Sequence, residues 1–178
     1  WNRAYNLTAI TEPAAILTHH LLDSLAAQPD LAGTRIADVG TGAGFPGLPL
    51  AVVNPSRQFT LVDAVDKKLR FVGHAARELG LANVRTRHGR VEQLGDVEPF
   101  DTVIARAFAP LPRMLEWVAP LCGPGTHVVA MKGHWPPPPD AGDEQAPLPA
   151  GWRIDAVRPV QVPGLGAARH HVLLHRAP

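Results

Sequence analysis

Short apolar runs alternate with amphipathic stretches along most of this chain. Apolar runs bounded by Gly, Pro, Asn or Asp are typical of strands buried in a parallel sheet, whereas apolar residues three and four apart indicate helices. The runs predict strands at residues 35–39, 58–62, 84–87, 100–105 and 126–131. Helices are predicted between them at residues 48–53, 67–79 and 114–118. This order predicts a doubly wound α/β sheet with right-handed crossovers.

The two ends of the chain follow other patterns. Thr11-Glu12-Pro13 predicts the start of a helix whose apolar stripe continues to Leu25. Near the C-terminus, residues 152–160 and 169–175 predict two more strands, joined by a turn rich in Pro and Gly. Between the parallel strands and this pair, residues 134–151 contain four consecutive prolines and predict a loop with polyproline character.

A glycine turn follows the first predicted strand. The apolar run from Ile36 reaches Asp38, and glycines follow at alternate positions, Gly40, Gly42 and Gly44, before Pro46. Glycine tolerates positive φ and lets the backbone approach a ligand closely, while proline suits the first turn of a helix. The pattern therefore predicts a strand, a turn and a helix that form a nucleotide-binding corner.

Two classes of ligand use such a corner. Residues 42–47 match the dinucleotide fingerprint, in which a helix N-terminus meets a pyrophosphate. The longer pattern Asp38-x-Gly40-x-Gly42-x-Gly44 resembles the first motif of class I methyltransferases that use S-adenosylmethionine (SAM). A carboxylate before the first glycine suits an ammonium group and is a poor neighbour for a pyrophosphate. Asp63, which ends the second strand, can accept both ribose hydroxyls of either ligand.

Composition limits the classes of protein and of binding site that fit this chain. The single cysteine, Cys122, excludes an internal disulfide and Cys-based zinc sites, and it fits a cytoplasmic protein. No apolar stretch is long enough for a membrane helix. The net charge is only +1, but residues 67–90 hold seven Lys and Arg against one acid. That local excess is typical of a surface for phosphate backbones, although a solvated helix face gives the same pattern.

Four segments together resemble one family, the bacterial 16S ribosomal RNA guanine-N7 methyltransferases called RsmG or GidB. They are Trp1-Asn2 with Asn6–Ile10, His20 with Asp23–Leu25, Asp38–Leu50, and Arg106-Ala107 with Met131–Gly133. The resemblance covers essentially the whole chain. Two departures are Ala105, where the family often has Ser, and the length of the Pro-rich segment.

The resemblance implies a class I SAM-dependent, Rossmann-like fold. It has a mostly parallel seven-stranded sheet with an antiparallel last strand and helices on both faces. We expect a single domain over residues 1–178, with a truncated N-terminal helical segment at 1–30 and a SAM-binding core at 31–178. The implied reaction transfers methyl from SAM, leaving S-adenosylhomocysteine, to N7 of a guanine in 16S rRNA. The partner is that RNA, the small ribosomal subunit or an assembly intermediate, and the enzyme is expected to be a monomer.

The site predicted from the turn and the resemblance lies at the carboxyl ends of the strands. Its cofactor-binding residues are Asp38, Gly40, Gly42, Gly44, Phe45, Asp63, Val91, Glu92 and Arg106. Arg106 and Lys132, which follow the fourth and fifth strands, are the predicted catalytic residues. Guanine N7 carries a lone pair, so neither a general base nor a metal is required. Two alternatives remain: a SAM methyltransferase for another RNA or a small molecule, and a nucleotide-binding module without catalysis.

Overall fold

Seven strands form one sheet in the order β3-β2-β1-β4-β5-β7-β6. The computed structural model describes residues 1–95 and 97–177, without the side chains of Arg3 and Ala4. Each predicted strand is present, with ends that differ by at most two residues. The strands are β1 Arg35–Val39, β2 Gln58–Asp63, β3 Val84–His88, β4 Thr102–Arg106, β5 His127–Lys132, β6 Trp152–Pro159 and β7 His170–Arg176.

The direction of the strands confirms the predicted fold. β1 to β5 pair in parallel, whereas β7 is antiparallel to both β5 and β6. The order of the strands reverses between β1, which leads to β2, and β4, which lies on its other side. Open α/β sheets bind their ligands outside the carboxyl ends of the strands at such a switch point.

The described residues form six α-helical segments beside the sheet. They are α1 Asn2–Tyr5, α2 Pro13–Ile16, α3 Asp23–Leu25, α4 Gly47–Val53, α5 Asp66–Glu78 and α6 Leu111–Val118. A π-helical stretch at Leu17–Leu22 joins α2 to α3, so the predicted N-terminal helix is continuous but unevenly wound. Its start is capped by the Glu12 carboxylate, which accepts from the Ala15 N–H. Pro46 directly precedes α4 rather than lying within its first turn.

The core has one part on each face of the sheet. On one face, α4 and α5 pack against the buried side chains of Ile36, Phe59 and Leu61. On the other face, α6 packs against those of Val39 and Val103. This alternation is expected when successive side chains of a strand point to opposite faces, and it confirms helices on both faces.

The connection from β3 to β4 is less regular than the others. In its described residues it forms only one 3₁₀ turn, Val91–Gln93. The predicted loop at 134–151 also contains a 3₁₀ turn, Gly142–Gln145. Within the described parts of the chain, no helix is long and apolar enough to cross a membrane.

Candidate active site at the carboxyl edge of the sheet

The glycine turn has the backbone that its sequence predicts. Gly40, Gly42 and Gly44 have φ values of 66°, 59° and 87°, which other residues rarely adopt. A Cβ on Gly40 would lie 2.3 Å from Phe108, and one on Gly44 would lie 2.4 Å from Leu48. A Cβ on Gly42 would meet its nearest atom, Gly40 O, only at 3.9 Å. Of the three, Gly42 therefore faces open space where a ligand can lie against the backbone.

The Asp38 carboxylate stabilises this turn through two hydrogen bonds. It is fully buried and accepts through Oδ2 from the Thr41 hydroxyl at 2.5 Å and from the Gly47 N–H at 2.8 Å. Burial raises the pKa of Asp38 to about 6. The other oxygen, Oδ1, is buried and has no hydrogen-bond partner among the described residues. A carboxylate oxygen in this state favours a cationic or hydrogen-bond-donating group beside it.

Asp63 joins the glycine turn to the second strand. Its Oδ2 accepts from the Gly42 N–H at 2.9 Å, and its Oδ1 accepts from the Val65 N–H at 2.9 Å, just before α5. The carboxylate is nearly buried, and each oxygen keeps further acceptor capacity. Asp63 therefore has a structural role in this turn, and that role leaves lone pairs for ligand hydroxyls.

A cavity of about 260 Å³ opens beside Gly40 and Asp63. We call it the glycine-loop cavity. Its walls include Gly40, Asp63, Lys68, Arg90, Val91, Glu92, Ala107, Phe108 and Trp117. Val91 and Glu92 lie in the 3₁₀ turn after β3, where the Val91 side chain is buried and the Glu92 side chain is partly exposed. The structure thus brings four of the predicted residues, Gly40, Asp63, Val91 and Glu92, to one cavity.

A second cavity of about 440 Å³ lies over the ends of β4 and β5. We call it the arginine cavity. It is lined by Ile10, His19, His20, Asp23, Arg106, Ala107, Met131, Lys132, Gly133 and Arg169. Ala107, whose φ is 50°, borders both cavities. The predicted catalytic residues Arg106 and Lys132 therefore share one cavity, next to the glycine-loop cavity.

Arg106 is held by groups from the N-terminal helical segment. Its Nη1 donates to His19 O at 2.8 Å and to the Asp23 carboxylate at 3.0 Å. Asp23, with a side chain only 3% exposed, also accepts from Arg169 Nε at 3.0 Å. Since Asp23 is almost inaccessible, this is a buried ion network and not an exposed pair. Sequence reasoning did not identify Asp23 or Arg169 as members of the site.

Phe45 lies between the glycine turn and this network. The His20 ring stacks on Phe45 with centroids 4.7 Å apart, and Arg106 Cζ lies 5.5 Å from the same ring centroid. The pKa of His20 is lowered by burial first and by the Arg106 charge second. His20 Nδ1 lies 3.1 Å from His19 O and 3.3 Å from Arg106 Nη2, and its Nε2 lies 2.8 Å from Thr8 Oγ1. His20 is thus a further residue of the site. The only sequence signal for it was the segment of His20 with Asp23–Leu25, which resembles the family.

Lys132 is bound by protein groups on two sides. Its Nζ lies 2.8 Å from Glu144 Oε1, in the Pro-rich segment, and donates to Ala109 O at 3.1 Å. The same Glu144 oxygen accepts from the Leu111 N–H at 3.1 Å. The catalytic role of Lys132 stays a prediction, and this structure adds a carboxylate beside its ammonium group. No group of three or more His, Cys, Asp or Glu among the described residues could hold a metal ion.

Comparison with known proteins gives the site its context. The family model described as GidB, rRNA small subunit methyltransferase G, matches residues 1–173. The chain belongs to this family. A member from Azoarcus sp. (strain BH72), named ribosomal RNA small subunit methyltransferase G, is 48% identical and covers 99% of this chain and 81% of its own length. One of the same name from Xanthomonas campestris is 44% identical with the same coverage.

Solved structures support the fold of this GidB family member. A SAM-dependent methyltransferase from Aquifex aeolicus aligns with a TM-score of 0.66 at 16% identity, covering 95% of this chain and 96% of that one. TrmN from Thermus thermophilus aligns with a TM-score of 0.61 at 20% identity, covering 86% and 48%. At these identities the likeness establishes the class I fold.

Proposed function

We propose that this chain transfers the methyl group of SAM to N7 of a guanine in 16S ribosomal RNA. Its curated relatives are named small subunit rRNA methyltransferases. The observation that carries the proposal is the pair of cavities joined at Ala107, one beside the glycine turn and one over Arg106. A cofactor and a nucleobase can therefore meet at the carboxyl edge of the sheet.

The residues at the glycine turn fit SAM. Asp63 would accept the ribose hydroxyls, and the Val91-Glu92 turn would meet the adenine edge. Asp38 Oδ1, which is buried and has no hydrogen-bond partner among the described residues, would receive the positive amino-acid end of SAM. Gly42 would lie against the ligand because, in the described part of the chain, the nearest atom to its Cβ position is Gly40 O at 3.9 Å. Phe45, Gly40 and Gly44 would close the turn around it.

The chemistry asks little of the side chains beyond alignment. When bound, SAM supplies a methyl carbon on a positively charged sulfur, which leaves as neutral S-adenosylhomocysteine. Guanine N7 forms the new bond with its own lone pair, so no proton has to be removed first. Holding the reacting atoms in line can supply up to about 7–11 kcal/mol in ideal cases. Arg106, fixed by His19, His20 and Asp23, would position the substrate or the SAM carboxylate.

We infer a monomeric enzyme that acts in the cytoplasm, where bacterial ribosomes are assembled. Its RNA partner is naked 16S rRNA, the small subunit or an assembly intermediate. The basic residues of 67–90 support RNA binding, since a cluster of Lys and Arg attracts phosphates. In the structure, Arg70 of this segment pairs with Asp66, and Lys68 lines the glycine-loop cavity.

The test is an assay with labelled SAM and three substrates: 16S rRNA, small subunits and assembly particles from a strain that lacks this gene. Material from the parent strain, already methylated, is the control. We expect incorporation in gene-deletion material alone, at one guanine, mapped as N7-methylguanine by mass spectrometry. Label on another base, on another RNA or on a small metabolite would overturn the proposal. No label with any substrate, despite measured SAM binding, would favour a binding module without catalysis.

A further inference from the structure

A third cavity lies on the sheet away from the site described above. It is a groove of about 670 Å³ over β1, β2 and β3, and we call it the β3 groove. It lies on the face of the sheet that α6 covers elsewhere. Its lining is Arg35, Gln58, Phe59, Thr60, Arg85, Thr86, Arg87, Val97, Glu98 and Phe100. The described part of the β3–β4 connection forms no α-helix that could cover it. The groove therefore exposes part of the sheet to solvent.

The strand register explains why this face is polar. Thr60 on β2 pairs with Arg85 on β3, and Val62 pairs with Arg87. Alternate residues of a strand share one face, so Arg85 and Arg87 both project on the groove side. A parallel strand covered on both faces is normally rich in Val, Ile and Leu. The sequence Val84-Arg85-Thr86-Arg87-His88 instead suits an edge strand that is exposed to solvent, as Arg85, Thr86 and His88 are here.

The groove carries an excess of positive charge. Three arginines line it, Arg35, Arg85 and Arg87, and Glu98 is the one acidic residue among the described residues of its lining. Arg35 is engaged by Glu98, and the Arg87 guanidinium donates to Leu94 O, which fixes its position without neutralising it. Arg85 is exposed. The charge that remains is therefore that of Arg85 and Arg87, side by side on one strand.

The positive charge continues toward the proposed cofactor site. Two residues beyond β3, Arg90 lines the glycine-loop cavity, and Lys68 at the start of α5 lines it as well. Arg90 lies 3.9 Å from Glu92, and with Arg85 and Arg87 it forms a line of arginines along the edge of the sheet from the β3 groove to that cavity. Lone charges on an edge strand also serve to prevent sheet pairing, and Arg153 is an exposed charge of this kind on the opposite edge strand, β6. That role requires neither a concave groove nor continuity with a ligand cavity.

We propose that the β3 groove binds the phosphate backbone of the RNA substrate at nucleotides outside the target guanine. The inference rests on the proposed function, because it takes the substrate to be RNA. Threonine hydroxyls and arginine guanidinium groups are common donors to phosphate oxygens, and such contacts set register without reading sequence. The groove would thus hold the RNA at a distance from the reacting base, while Arg106 and its neighbours face that base.

The experiment compares two exposed edge arginines, Arg85→Gln in the groove and Arg153→Gln on β6. RNA affinity is measured by filter retention of 16S rRNA between about 50 and 200 mM salt, which requires no turnover. For Arg85→Gln we expect severalfold weaker binding and a salt slope smaller by about 0.7–0.9, the value for one lost phosphate contact. The SAM affinity and the thermal midpoint of Arg85→Gln should match those of the wild type. Arg153→Gln should leave RNA affinity, salt slope, SAM affinity and thermal midpoint unchanged. Arg85→Lys should restore the wild-type salt slope.

The outcomes separate the two proposals. If Arg85→Gln and Arg153→Gln show the same affinity and salt slope as the wild type, the β3 groove is not an RNA contact, whatever the enzyme methylates. If the wild type binds rRNA with a steep salt slope that Arg85→Gln reduces, the groove inference holds. Should the wild type then fail to methylate 16S rRNA, the proposed function falls and the binding surface remains.

Discussion

Lys132 at the end of β5 and Glu144 in the Pro-rich segment form an ion pair with 2.8 Å between Nζ and Oε1. The same carboxylate oxygen accepts from the first N–H of α6, at Leu111, while Lys132 also donates to Ala109 O. The pair therefore ties the Pro-rich segment to the connection between β4 and α6, which contains Ala107. Trp135 and Leu148 of the same segment pack against the core beside α6.

The first prediction concerns Glu144→Gln. The change leaves the Lys132 ammonium, whose side chain is 15% exposed, without a carboxylate and weakens the connection that borders both cavities. Loss of a charged hydrogen bond of this kind costs roughly 1.5–3 kcal/mol, so we expect a lower thermal midpoint and weaker SAM binding. Asp143→Asn is the matched control because Asp143 pairs with the exposed Arg113. Equal SAM affinity in the two variants would show that Glu144 does not shape the cavities.

The second prediction is a pH dependence of SAM binding. In the ligand-free protein the pKa of Asp38 is raised to about 6, and a bound ammonium group favours the ionised form. Affinity is therefore lost as the pH falls through that value. Calorimetry should show about tenfold weaker binding at about pH 5 than at about pH 7, where the ammonium of SAM stays charged.

Two controls separate Asp38 from other titrating groups such as His20. Asp38→Asn keeps an oxygen for the Gly47 N–H but loses the charge, so its SAM affinity should be lower and nearly independent of pH in this range. 5′-Methylthioadenosine lacks the amino-acid end of SAM, and its affinity should follow neither the pH nor the substitution. A pH response of the same size with this ligand would place the SAM ammonium elsewhere.

The third prediction concerns bulk at Gly42. Gly42→Val should abolish SAM binding, because the side chain would project into the open space beside the turn. Valine is also strained at φ 59°, so Gly80→Val serves as the control, with φ 66° and no neighbour within 4 Å. Both variants should lose comparable stability in thermal unfolding, and only the first should lose SAM. Wild-type SAM affinity in a folded Gly42→Val protein would contradict the proposed position of the ligand.

The fourth prediction concerns Arg106. Arg106→Ala should lose most methylation of 16S rRNA, and Arg106→Lys should recover little, because one ammonium cannot replace a fork that reaches His19, His20 and Asp23. Arg158→Lys is the control, since Arg158 on β6 makes a similar network with the buried carboxylate of Asp30 and with Ala26 O. SAM and RNA affinities measured separately would show which ligand Arg106 holds. Full turnover by Arg106→Ala would exclude this edge as the active site.

The sequence by itself determined the order in which strands and helices follow one another along the chain, and it determined the conformation of the glycine turn. These features depend on local rules: apolar runs form buried strands, alternate glycines permit positive φ, and a chain that alternates strand and helix folds into a parallel sheet. The predicted residues Gly40, Asp63, Val91 and Glu92 meet in one cavity because the carboxyl ends of adjacent parallel strands share an edge.

Only the tertiary structure decided which partners the charged residues have. Asp23 meets both Arg106 and Arg169, and Glu144 meets Lys132, across separations in sequence that no periodicity encodes. The sequence likewise did not distinguish basic residues on a helix face from arginines in the β3 groove. The physical reason is that an ion pair depends on distance and burial, both of which are set by packing of distant elements, whereas backbone conformation is set largely by neighbours along the chain.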